Sequence, residues 1–107
     1  MVRALVLLLA QLAGTPIVSE TVETGEHRLV DLGAFECRDI TRSTVLQRVC
    51  YDRTQQDLIV ASNGTYDRYC GVTAETVERL LGAPSVGRFF NQTIKRETIM
   101  GRYACDA

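Results

Sequence analysis

Cys37, Cys50, Cys70 and Cys105 lie 13, 20 and 35 residues apart in a chain of 107, and what they bond to restricts the fold more than any other feature. Three chemistries compete. A four-thiolate zinc site favours closely paired ligands, which these gaps do not provide. A catalytic thiol needs an adjacent base and an activating environment, yet the single histidine, His27, sits in the polar stretch Glu20 to His27. Two disulfides need only an even count and an oxidising compartment. That is the expected state, with no metal and no cofactor.

The N-terminus points to such a compartment. Met1-Val2-Arg3 makes a short positive start, and Ala4 to Ala10 is an uninterrupted apolar run extended by Leu12 and Ala13. Gly14-Thr15-Pro16 then breaks any helix. This is the layout of a secretory signal, too short for a lasting anchor, which needs roughly 20 apolar residues. Cleavage follows Ser19, with Ile17 at the −3 position, or falls near Gly14. The expected organisation is a signal peptide over 1–19, an N-terminal extension over 20–42 and a folded domain over 43–107. The product is then periplasmic or secreted, with no lasting membrane anchor, and a monomer. Beyond position 19 stand eleven bases against 13 acids, a net charge of −2. So even a balance argues against a general polyanion binder but leaves room for a local basic patch.

Residues 20–27 are acidic and weakly patterned, and are expected to form a flexible lead-in; Arg28 to Phe35 reads as extended. From Ser43 the chain is orderly. Val45 to Tyr51 is β-branched and aromatic, Leu58 to Ala61 is a second strand, and Thr65 to Cys70 a third. Asn63-Gly64 between the last two suits a tight hairpin, because both residues tolerate positive φ. Centring the turns sets Tyr51 opposite Leu58 and Leu58 opposite Tyr69. Alternation along strands then gives one face of Val49, Tyr51, Leu58, Val60 and Tyr69, the natural seat for helices. The other face carries Leu46, Arg48, Cys50, Ile59, Ala61, Tyr66, Arg68 and Cys70 and needs partial cover.

Two helices follow. Thr73 caps the first, with Glu75 in its first turn, Val72 and Val77 as a hydrophobic staple, and Gly82 with Pro84 at its end. Ser85 caps the second, whose buried stripe is Val86, Phe89, Phe90 and Ile94. The remainder, through Tyr103-Ala104-Cys105, is expected to be extended. The fold class is therefore α+β: a three-stranded antiparallel meander packed on two short helices and stapled by two disulfides. Cys50 and Cys70 would sit two strands apart, roughly 9–10 Å, beyond the ~7 Å reach of a bridge. That removes the pairing Cys50–Cys70 with Cys37–Cys105. Cys37–Cys50 with Cys70–Cys105 is favoured, and the crossed pairing is the alternative.

Several stretches of the chain resemble the KTSC domain, a module of about 60 residues first noticed at the C-terminus of some lysyl-tRNA synthetases. They are Val49-Cys50-Tyr51-Asp52, Leu58-Ile59-Val60, Asn63-Gly64, Tyr69 to Val72, and Leu80 through Asn91 with Ile94-Lys95. The run Ala83-Pro84-Ser85-Val86-Gly87-Arg88-Phe89-Phe90-Asn91 is the most specific part. The central Tyr-x-Tyr of the family reads Asp67-Arg68-Tyr69 here, with Tyr66 one place before, and Thr73 stands where a proline is common. The synthetase context of the family implies RNA binding.

The functional expectations weigh three classes. Phe89 and Phe90 among Arg88, Lys95, Arg96 and Arg102 have the composition of a single-stranded nucleic-acid binder, although helical burial alone accounts for both phenylalanines. An enzyme lacks materials: no His-paired Ser or Cys and no phosphate loop is present, and Glu75 with Glu78 reads as a solvated helix face. Asn63-Gly64-Thr65 and Asn91-Gln92-Thr93 fit the glycosylation pattern but read as a turn and a helix segment. The remaining expectation is a non-enzymatic exported module that binds a protein, a peptide or an envelope component. Its candidate residues are Tyr66 and Arg68 on the outer sheet face with the neighbouring Tyr69, and Ser85, Gly87, Arg88, Asn91 and Lys95 around the last helix. Mass spectrometry of the native product should find a chain starting near residue 20 with no free thiol; an intact Met1 with four free sulfhydryls would place the protein in the cytosol.

Overall fold

The computed structural model describes residues 20–25 and 27–105; the expected signal over 1–19 lies outside the described residues. Three strands form as the turns dictate: β4 (Leu46–Asp52), β5 (Asp57–Ser62) and β6 (Thr65–Tyr69). Asn63 and Gly64 take φ of 53° and 81°, the paired positive values of a tight hairpin turn. The register sets Tyr51 against Leu58 and Leu58 against Tyr69. Asp52 closes the preceding turn by accepting from the Thr54 and Gln55 amides.

Alternation places Val49, Tyr51, Leu58, Val60 and Tyr69 in the core beneath the helices. Leu46 joins them, although strict alternation would put it on the other face. A register shift between Leu46 and Arg48 inserts an extra residue into β4, and such a bulge turns the side chains before it over.

The meander is not three-stranded. β3 (Glu36–Asp39) pairs antiparallel with β4, giving a four-stranded sheet in the order β3-β4-β5-β6, with Cys37 directly opposite Cys50. Nor is the start of the extension a loose lead-in. β1 (Thr21–Glu23) and β2 (Leu29–Asp31) form a second, two-stranded sheet, followed by a 3-10 turn at Leu32–Ala34. An isolated two-stranded ribbon is marginal in water, so the reason lies in the tertiary contacts. Cys50 and Ile59 face outward from the main sheet yet are fully buried, because Val22 and Leu32 pack on them. Arg48 fixes the ribbon's start through a two-pronged bond to the Glu20 carboxylate at 2.6 and 2.8 Å. This bond holds the Glu20 carboxyl below its ordinary pKa.

The helices cover the opposite face. α1 (Ala74–Gly82) starts at Thr73, whose hydroxyl accepts from the Thr76 amide. Val72 and Val77 are both buried, as a staple requires. Its C-terminus is closed from a distance: the Arg42 guanidinium donates to the carbonyls of Leu81 (2.7 Å) and Ala83 (2.9 Å), satisfying groups a helix leaves open and complementing its dipole. Ala83 is extended, as a residue before proline must be.

α2 (Val86–Phe89), a π-helical stretch (Phe90–Lys95) and α3 (Arg96–Ile99) run together as one last helix, 86–99. The buried positions Val86, Phe90 and Ile94 recur every four residues. In a pure α-helix a period of four drifts by about 40° per step. The wider π turn brings the stripe back onto the core. Residues 100–103, expected to be extended, form a turn instead. Gly101 (φ 95°) and Arg102 donate back to the Thr98 and Glu97 carbonyls, the pattern of a Schellman cap.

Disulfides join Cys37 to Cys50 and Cys70 to Cys105, with Cα atoms 4.0 and 5.1 Å apart. They are the chemistry of an oxidising, extracytoplasmic compartment. No described helix is long and apolar enough to cross a membrane. The fold is therefore α+β with two disulfides, but it has six strands in two sheets rather than three in one.

Loop-entropy arguments predict that replacing Cys70 and Cys105 by alanine costs about 4 kcal/mol and replacing Cys37 and Cys50 about 3; denaturant unfolding of the two double variants checks the order. A second test uses Tyr69, which packs edge-on against Phe90 with ring centroids 5.6 Å apart. Burial, with Asp67 adding to it, raises its pKa from 10.0 to about 12. The folded state then keeps a proton that the unfolded chain releases. This stabilisation is complete below pH 10 and is lost as pH climbs through 12. Tyr69→Phe should flatten the alkaline fall in unfolding free energy across that window, and an unchanged slope would contradict the assignment.

Candidate functional site

The outer sheet face, one of two surfaces expected to bind, is occupied by the protein's own N-terminal ribbon. Tyr66 is half-buried there. Its hydroxyl accepts from Arg48 at 3.3 Å, and its backbone carbonyl accepts from the Gly25 amide at 2.9 Å. Arg68 is spent on Asp57, at 2.7 Å, and its Nε is buried without a partner among the described residues. Tyr69 is 6% exposed and belongs to the helix-side core. These three therefore do not form a free recognition surface. For Tyr66 the reason is the cover that the apolar atoms of Cys50 and Ile59 demand.

Two residues of the most specific sequence run are structural as well. A Cβ placed on Gly87 would lie 3.1 Å from both Cβ and Cγ2 of Val45; glycine there lets the last helix approach the segment entering β4. The Ser85 hydroxyl accepts from the Arg88 amide, so it caps its own helix.

Arg88, Asn91 and Lys95 are different. All three are exposed, and the structure brings them onto one face of the last helix with Gln92, Arg96, Ile99 and Met100. These seven form two rows of period four: 88, 92, 96, 100 and 91, 95, 99. The same π turn that straightens the buried stripe straightens these rows on the solvent side. Within 86–102 four bases stand against a single acid, Glu97. Glu97 pairs with Arg102 at 3.7 Å. Among the described residues no carboxylate lies within ion-pair distance of Arg88, Lys95 or Arg96. A shallow hollow lined by Pro84, Ser85, Arg88, Phe89 and Gln92 adjoins the start of this face. Phe90 is 3% exposed and Phe89 half-buried against the core, so neither ring stands out as a stacking platform.

Sequence reasoning missed the continuation through Gln92, Ile99 and Met100, although the period of four was there to find. It also missed Arg42 and the Glu20–Arg48 pair, for which no local signal exists. Among the described residues no cluster of three or more His, Cys, Asp or Glu side chains is placed to hold a metal ion.

Comparison with known proteins agrees with this architecture. An uncharacterised protein of Stutzerimonas stutzeri (strain A1501) is 46% identical over 55 residues, which cover 50% of this chain and 78% of the relative. The crystal structure of a KTSC domain protein from Yersinia pestis superposes with a TM-score of 0.58 at 24% identity, covering 68% of this chain and 96% of that one. At that identity the likeness speaks for the fold. The KTSC domain family itself matches residues 42–97, beginning at the arginine that closes α1 and ending within the last helix. The chain belongs to the KTSC domain family.

Proposed function

We propose that this protein is a non-enzymatic, extracytoplasmic binding module that holds an anionic component of the cell envelope against the solvent face of its last helix. One observation carries the reading. A chain with a slightly acidic balance gathers Arg88, Lys95 and Arg96 on a single uncovered face, with the donors Asn91 and Gln92 between them. Cations on one face raise the local positive potential well above what net charge implies. The competing surface around Tyr66 and Arg68 is spent on internal contacts.

A catalytic reading has less support. All four thiols are consumed in disulfides, and the His27 backbone is tied into its own turn through Thr24. RNA binding would use the same cations, but single-stranded recognition also uses aromatic platforms, and Phe90 is enclosed in the core.

Washed envelope fractions should sediment with the oxidised protein at low salt and release it as ionic strength rises. Lys95→Glu/Arg96→Glu should reduce the bound fraction at least ~10-fold, and Tyr66→Phe should leave it unchanged. Equal binding by the charge-reversed variant and wild type would refute the assignment of this face.

A further inference from the structure

Resting on that reading, we infer that the anionic component is a phospholipid surface, and that the Ile99–Met100 turn enters it. Ile99 is 81% exposed and Met100 78%. Of the three large apolar side chains exposed among the described residues, Leu29, Ile99 and Met100, the last two are adjacent and the most exposed. They stand at the end of the cationic rows, with Lys95 and Arg96 one turn before them; Arg102, just after, is paired with Glu97. An apolar tip beside unpaired cations matches a bilayer interface, where phosphates lie above an acyl boundary. A soluble anion or a hydrophilic polymer would engage the cations and leave Ile99 and Met100 in water.

The backbone suits entry. Unsatisfied amides are costly in a low-dielectric layer, but here the Met100, Gly101 and Arg102 amides donate to the Arg96, Thr98 and Glu97 carbonyls. The tip is also held at its base. Cys105 is joined to Cys70, and the Cys70 amide donates to the Tyr103 carbonyl at 2.9 Å. Insertion therefore needs no unfolding and little ordering. No further apolar surface adjoins the pair in sequence, so attachment is shallow and reversible, unlike that of a spanning helix.

Vesicle flotation with the oxidised, exported protein tests this. Vesicles of phosphatidylglycerol and phosphatidylcholine should carry the protein, and pure phosphatidylcholine should not. Ile99→Ser/Met100→Ser should weaken vesicle binding ~10-fold or more. The chain contains no tryptophan, so Met100→Trp introduces a single reporter, whose emission should shift to the blue on anionic vesicles. Intact disulfides and an unchanged melting temperature in each variant confirm that the fold persists. Wild-type affinity in the serine variant, or unshifted emission from the reporter, would overturn insertion. Binding to envelope fractions, including lipid-extracted ones, without binding to vesicles would overturn the lipid assignment and leave the wider reading standing. Binding to neither would sink both.

Discussion

The inner strand β5 is buried on both of its faces, and the rest of the molecule is arranged to meet that requirement. Leu58 and Val60 point to one side and Ile59 to the other, all of them 1% exposed or less. A sheet apolar on both sides needs two covers. The helices supply one and the N-terminal ribbon the other. The two crosslinks lie at the two edges of the sheet. Cys37–Cys50 fastens β3, which continues from the ribbon, and Cys70–Cys105 fastens the segment that follows the last helix. In a chain this small, apolar burial alone leaves little margin, and the crosslinks tie the edge strand β3 and the C-terminal segment to the rest of the sheet.

Much of the meander was legible because its determinants are local. Asn63-Gly64 sets the hairpin, the hairpin sets the register, and the register sorts Val49, Tyr51, Leu58, Val60 and Tyr69 onto one face. Thr73 and Ser85 announce the helix starts because a capping hydroxyl acts within a few residues of itself. The features that stayed hidden are non-local. Leu46 changes sides through a bulge that no alternation pattern reveals. The ribbon looks acidic and featureless, yet it is held by Glu20 on Arg48, 28 positions away. Arg42 closes a helix 39 positions downstream. In the last helix, the four-residue period was present in the sequence, but a stripe of that period lies straight only with a π turn.

The candidate site shows the same division. Arg88, Asn91 and Lys95 emerge from the sequence as exposed polar positions in a helix. Tyr66 and Arg68 emerge equally well and end up spent on internal contacts that only the three-dimensional fold discloses, whereas alternation already puts Tyr69 on the helix-side face. Gly87 draws attention for the opposite reason. Its lack of a side chain serves the close approach of Val45, so its setting is one of packing rather than of ligand contact.

The span matched by the family sharpens the functional argument. Residues 42–97 include Cys50 and Cys70 but neither Cys37 nor Cys105, so each disulfide ties a residue of the matched span to one outside it. The ribbon, β3 and the Ile99–Met100 turn lie beyond it too. This chain thus carries the family's sheet and helices within two crosslinked flanks. One flank covers the outer sheet face and half-buries Tyr66; the other carries the exposed apolar pair beside the cations of the last helix. Both act in the same direction. One surface is thereby covered, while exposed cations and an apolar pair stand together along the last helix, the combination on which the proposed docking rests.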